Sequence, residues 1–219
     1  MNRLGPYRGV RGIGRRPGAG RRQCVAVLVL VAAVLSLAGC SSDDRDAAAD
    51  GGGSTQQAQD LPDLTDCPAP TGEPATGDPI LPQLNLPCLD GEGGTLTLSE
   101  APGVPLVLNL WATWCTSCRD ELALFSQLYL ASDREQLLVA GVVTRDGPGL
   151  AAEFVIDLGI EFPSGLDENG DLYVAQGMRG LPGTFFVNAD GIIAHAELAP
   201  ITSYEDLVAL VQEHLGVSV

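Results

Sequence analysis

Hydrophobic and polar positions divide this chain into a front in which one apolar stretch lies between polar, glycine-containing segments, and a longer part in which short apolar runs alternate with amphipathic ones. The run Val104-Pro105-Leu106-Val107-Leu108-Asn109-Leu110-Trp111 is almost wholly apolar and reads as a strand buried on both faces. Behind it, Leu122, Phe125, Leu128 and Tyr129 recur at helical spacing and predict a helix from Cys115 to about Ala131. Leu137–Val143 predicts a second buried strand, Leu150–Leu158 an amphipathic helix, Phe162–Leu166 a short strand and Leu172–Gln176 a helical stretch. Thr184–Val187 and Ile192–Ala196, split by the turn Asn188-Ala189-Asp190-Gly191, predict an antiparallel pair, and Tyr204–Leu215 a closing helix. Upstream, Ile80–Ser99 holds short apolar segments around Asp90-Gly91-Glu92-Gly93-Gly94 and reads as a hairpin. Alternating strands and helices followed by a hairpin and a helix predict one α/β domain with a mixed sheet.

Cys115-Thr116-Ser117-Cys118 stands where the central strand ends and the helix begins. Unpaired N–H groups and a partial positive charge at a helix N-terminus stabilise a thiolate, the reactive form of cysteine. Cys115, at the tip beside Trp114, is expected to be the exposed nucleophile, and Cys118, one turn deeper, the resolving thiol. A structural zinc site needs four ligands, but no second C-x-x-C exists and His195 and His214 lie far down the chain. No metal is therefore expected, and no cofactor beyond the redox-active Cys115–Cys118 disulfide. Asp167-Glu168-Asn169-Gly170-Asp171 has the composition of a calcium loop, but its glycine falls two positions early, so it reads as a polar turn.

The front of the chain sets the compartment. Residues 1–23 hold seven arginines and no acidic residue, and Cys24–Ala38 is an apolar stretch of 15 residues. A membrane-spanning helix needs about 20, so 1–39 reads as a signal peptide. Leu37-Ala38-Gly39-Cys40 resembles a bacterial lipobox, which makes Cys40 the expected lipidation site and the extracytoplasmic face of the cell membrane the expected location. Ordinary cleavage without lipidation is the alternative, and the arginine doublets leave the export route open. Residues 40–66, rich in Ala, Asp, Gly and Gln, read as a flexible tether spanning on the order of 25–30 Å. The domain proper is then 67–219.

Charge narrows the partners. The sequence contains no lysine, and from Cys40 onward five arginines face 28 carboxylates, a net charge of −23. Such a chain is a poor ligand for nucleic acid or for an anionic membrane surface, so attachment falls to the lipid. Globally, the charge favours basic or neutral protein partners. Four cysteines remain after Cys24 leaves and Cys40 is acylated, and four allow three pairings. With Cys115 and Cys118 forming a local pair, Cys67 and Cys88 are left for each other, as a bridge worth about 3 kcal/mol by loop entropy. A second redox pair relaying electrons to the first is the competing role.

Trp111-Ala112-Thr113-Trp114-Cys115-x-x-Cys118, the strand before it and Gly180-Leu181-Pro182-Gly183-Thr184-Phe185 resemble the thioredoxin fold. More narrowly, residues 80–219 resemble the membrane-anchored TlpA-like and ResA-like thiol–disulfide oxidoreductases, and with the lipoprotein signal, N-terminal hairpin and Cys67/Cys88 pair, their actinobacterial forms. The resemblance implies a thioredoxin-like mixed sheet flanked by helices with an extra N-terminal β-hairpin. It implies a cis Pro182 against the dithiol and a substrate strand received near Trp114, Leu181 and Pro182. The position of the buried aspartate of cytosolic thioredoxins is Asn109, which cannot titrate. Glu121 matches the active-site glutamate of ResA-like proteins and is expected, with a pKa raised by partial desolvation, to accept the Cys118 proton. Thr116-Ser117 replaces the usual dipeptide ending in proline, and Leu122 stands where proline is frequent.

The expected function is disulfide reduction in exported proteins, with apocytochrome c among the partners the resemblance implies and a membrane thiol as electron donor. Three rivals compete with it. A disulfide-forming oxidase reverses the electron flow. A thiol peroxidase would carry P-x-x-x-T-x-x-C in place of W-C-x-x-C. A Cu(I)-binding chaperone would use the two thiolates, though only Met178 remains as a thioether after the signal and no histidine is near.

Overall fold

The computed structural model describes residues 64–219. Cys24, Cys40, the signal peptide and most of the tether fall outside them. No helix among the described residues is long and apolar enough to cross a membrane. In chain order the elements are β1 (Asn85–Pro87), β2 (Thr95–Thr97), β3 (Leu106–Trp111), α1 (Thr116–Ala131), β4 (Leu138–Thr144), α2 (Pro148–Leu158), β5 (Ser164–Asp167), α3 (Asp171–Ala175), β6 (Gly183–Val187), β7 (Ile193–Glu197) and α4 (Tyr204–Leu215). From β3 onward they match the elements read from the sequence to within two residues at each end, whereas the hairpin strands are shorter than the Ile80–Ser99 span, β1 beginning five residues after Ile80.

Five strands form one sheet in the order β5-β4-β3-β6-β7. β4 runs parallel to β3 and to β5, whereas β6 runs antiparallel to β3 and to β7. β3 is central and its six residues are all buried, which accounts for the unbroken apolar run in the sequence. Alternation along β3 sorts its side chains between two cores. Val107 and Trp111 pack with Leu122, Phe125 and Leu128 of α1, Phe154 of α2 and Leu207 and Val211 of α4. Leu106, Leu108 and Leu110 pack on the other face with Leu86 of β1, Leu96 of β2 and Leu172 of α3. The hairpin β1–β2 thus covers the face that the long helices leave open.

Two close approaches seat these layers. A Cβ at Gly141 of β4 would collide with Ser164 Oγ, Trp111 Nε1 and Phe162, so only glycine fits there. One at Gly165 of β5 would meet the Leu86 and Leu96 Cβ atoms at 3.0 and 3.1 Å, which is how tightly the hairpin lies on β5. The Leu89 N–H donates to the Ser164 carbonyl at 2.8 Å and extends that attachment. Cys67 and Cys88 are joined by a disulfide across 21 residues of chain, tying the proline-rich lead-in to the end of β1.

The sheet directions bring four loops to one edge. β3, β4 and β5 end there and β6 begins there, so Ala112–Cys115, Arg145–Gly147, Glu168–Gly170 and Leu181–Pro182 lie along the edge at which α1 starts. Ligand sites of parallel α/β sheets form at this carboxyl edge of the strands.

Candidate active site

α1 begins at the dithiol because Cys115 is its N-cap. Its backbone is extended (φ −91°, ψ 105°), and the Cys118 N–H donates to Cys115 Sγ at 3.2 Å. That contact occupies one of the N–H groups which a helix start leaves without an intrahelical partner. Cys115 and Cys118 are joined as a disulfide, with Cα atoms 5.3 Å apart. Ser117 Oγ lies 3.6 Å from Cys115 Sγ. The expectation of an exposed Cys115 needs correction: it is 6% exposed against 0% for Cys118. The outer cysteine therefore offers only a sliver of surface. Trp114 beside it is 59% exposed.

A turn after β4 holds the loop in front of Cys115. Asp146 Oδ2 accepts from the Thr113 N–H and from Thr113 Oγ1, each at 2.7 Å. The Trp114 indole N–H donates to the Arg145 carbonyl at 3.2 Å. Sequence reasoning passed over Asp146, which has no motif around it. The available signal was its place between the second buried strand, Leu137–Val143, and the amphipathic helix Leu150–Leu158.

Glu121 is buried more completely than the sequence predicted. It is 1% exposed, and burial raises its pKa from an ordinary 4.5 to about 7. The Ile201 N–H donates to its Oε1 at 2.8 Å and Asn109 Nδ2 to its Oε2 at 3.1 Å, both of which favour the ionised form without offsetting the desolvation. Glu121 follows Cys118 by three residues, placing both on one side of α1. Asn109 is therefore more than a position that cannot titrate. It faces α1 because alternation puts it on the Val107–Trp111 side of β3, and its amide also donates to Thr184 Oγ1 at 3.1 Å. A buried polar chain thus runs from β6 through β3 to Glu121 and on to the loop before α4.

The Leu181–Pro182 peptide is cis. Pro182 is buried and Leu181 half-buried at the start of β6. Together with Trp114, they stand at the carboxyl edge that carries the dithiol. Cys67 and Cys88 do not join this group, being held at the far rim of β5, where Cys67 Sγ is 3.7 Å from the Ser164 carbonyl. Asp167 is buried at the end of β5 and accepts the Asp171 and Leu172 N–H groups at 2.7 and 3.0 Å. The acidic turn is accordingly the N-terminal cap of α3. No cluster of three or more metal-ligating side chains occurs among the described residues.

Residues 77–196 match the AhpC/TSA family. Among curated proteins, the chain is 33% identical over 113 residues to the thiol:disulfide interchange protein DsbE of Pseudomonas fluorescens, covering 51% of this chain and 61% of that one. It is 32% identical over 100 residues to the thiol-disulfide oxidoreductase ResA of Oceanobacillus iheyensis, covering 45% and 52%. The matched region thus spans about half to three fifths of these relatives. Of solved structures, a secreted disulfide oxidoreductase of Mycobacterium tuberculosis, described as homologous to E. coli DsbE, aligns with a TM-score of 0.52 at 25% identity. The alignment covers 60% of this chain and 96% of that one.

Proposed function

The chain belongs to the AhpC/TSA family, and from that premise we propose that it is an extracytoplasmic thiol–disulfide oxidoreductase that reduces disulfides in exported proteins. The reading is carried by a Cys115–Cys118 couple at a helix tip, with Leu181–Pro182 at the same edge of the sheet. The Cys115 thiolate attacks one sulfur of a partner disulfide, forming a mixed disulfide and expelling the other sulfur as a thiolate. Cys118 loses its proton to ionised Glu121 and attacks Cys115 Sγ. The partner leaves with both sulfurs reduced, and Cys115–Cys118 holds the oxidised pair. Two electrons pass to the partner, and a membrane thiol donor restores the dithiol. No bound cofactor enters this cycle.

Glu121 suits the proton step because its pKa of about 7 allows it to gain and lose a proton near neutrality. Trp114, Leu181 and Pro182 would line the substrate strand's path. Cys67–Cys88 is read as a staple, since the bond lies away from the dithiol and Cys88 is buried. The basic segment 1–23, the apolar 24–38 and Cys40 support export with lipid anchorage outside the membrane, the acidic 41–66 serving as tether. Relatives named as a thiol:disulfide interchange protein and a thiol-disulfide oxidoreductase support disulfide exchange as the chemistry; apocytochrome c is our proposal for one of its exported substrates.

Trapping tests the reading. In cells, Cys118→Ser is expected to accumulate mixed disulfides through Cys115, and Cys115→Ser to accumulate none. The wild-type pair is expected mainly reduced at steady state. A mainly oxidised pair with rising disulfide content in its targets would assign the reverse, oxidising direction.

A further inference from the structure

Around the dithiol, charge runs against the trend of the molecule. Residues 64–219 contain four arginines and 22 carboxylates. Three of those arginines stand on segments that carry or frame the site. Arg119 follows Cys118 in α1, Arg145 opens the β4–α2 turn, and Arg179 lies three residues before Pro182. All three are exposed. Among the described residues the one contact of a basic side chain with a carboxylate within 4.0 Å is His195 Nε2 with Glu197 Oε2 at 3.8 Å, and no arginine takes part in an ion pair. Two guanidinium groups rest instead on aromatic rings, Arg119 at 4.8 Å from the centre of Phe154 and Arg145 at 4.4 Å from that of Tyr173. Stacking uses one face of the cation and leaves its N–H edge open to a carboxylate.

Half of the six carboxylates on these segments are held by hydrogen bonds within the fold. Asp146 is held by Thr113, Asp167 by the start of α3, and Glu121 by Asn109 and Ile201. Asp120, Glu168 and Asp171 are the exposed ones there. Arg145 also has a left-handed backbone (φ 52°), unique among described non-glycine residues. Such a conformation persists only where the surroundings impose it. Here its carbonyl takes the Trp114 indole N–H and its own N–H donates to the Asp167 carbonyl at 2.9 Å. The constrained turn thereby couples the exposed Trp114 to a guanidinium lying on Tyr173.

We propose that Arg145 and Arg119 form a cationic docking rim that selects target disulfides flanked by acidic residues. The inference rests on the reading that Cys115 attacks a partner disulfide. Trp114 provides apolar contact beside the sulfur, and each guanidinium edge grips a carboxylate through paired N–H groups. The overall negative charge does not cancel this selection, because at physiological salt it is screened beyond about 8 Å, whereas the arginines act at contact.

The test measures reduction of three cystine peptides by the reduced full chain at physiological salt, their flanking residues being neutral, Asp or Lys. The Asp-flanked peptide is expected to react about tenfold faster than the Lys-flanked one, a modest electrostatic gain. Arg119→Gln lowers that ratio part of the way, and Arg119→Gln with Arg145→Gln brings it to about one. Arg134→Gln, beyond the far end of α1, retains the wild-type ratio. A preference for the Lys-flanked peptide, or a ratio unchanged in the double variant, overturns the rim. If Asn in place of the acidic residues of 41–66 accelerates the Asp-flanked peptide alone, the arginines bind this chain's own segment and the proposal fails. If even the neutral peptide is not reduced, the underlying reductase reading falls as well.

Discussion

Glu121 concentrates the residue-scale chemistry. A carboxyl group one turn beyond Cys118, almost fully buried and with a pKa of about 7, makes two pH predictions. In the exchange proposed above, Glu121 is ionised when it accepts the Cys118 proton, so release of a trapped partner should accelerate as pH rises through about 7. Glu121→Gln should remove that inflection, as followed by stopped-flow decay of a mixed disulfide. In folding, the sign is opposite. Between its ordinary 4.5 and about 7, the folded state holds a proton that the unfolded state has lost. Stability of the disulfide form should therefore fall as pH rises through this window, and urea titrations should find that slope flattened in Glu121→Gln. The sequence placed Asn109 in the buried central strand as a polar residue that cannot titrate, but did not show its bond to Glu121. The pairing depends on which turn of α1 crosses β3, and an apolar period does not encode that crossing.

Elements place the dithiol through their ends. The strand-to-helix junction could be read because β3 is uniformly apolar and α1 strongly periodic, and both exist as expected. The clamp on it could not, since Asp146 reaches Thr113 across 33 positions of sequence. Asp146→Ala is expected to leave the Thr113 N–H and hydroxyl without their partner and to destabilise the fold by about 1–3 kcal/mol in urea unfolding. Exchange should slow in the same variant because the loop carrying Trp114 loses its anchor. A variant that unfolds normally and exchanges at the wild-type rate would show that the turn does not position the site. Gly141 offers a packing test at this scale. Gly141→Ala forces a methyl into Trp111, Phe162 and Ser164, and a loss of about 1–3 kcal/mol is expected from overpacking.

For the whole molecule, the hairpin and the second disulfide act together. The lead-in from Leu64 reaches the helix-covered core, crosses to Cys88 and continues into a hairpin that covers the opposite face of the sheet. Replacing Cys67 and Cys88 by serine is expected to cost about 2–5 kcal/mol in denaturant while leaving the exchange rate of the Cys115–Cys118 pair intact. Loss of exchange with stability preserved would instead make the pair an electron relay. The central claim, that α1 presents Cys115 as the attacking thiolate, is tested most directly by site-resolved alkylation of the reduced full chain across pH. Cys115 should react first, with a midpoint well below the value of about 8.5 for a free thiol, and Cys118 should lag behind it. Equal, slow labelling of both cysteines with an ordinary midpoint would contradict the account.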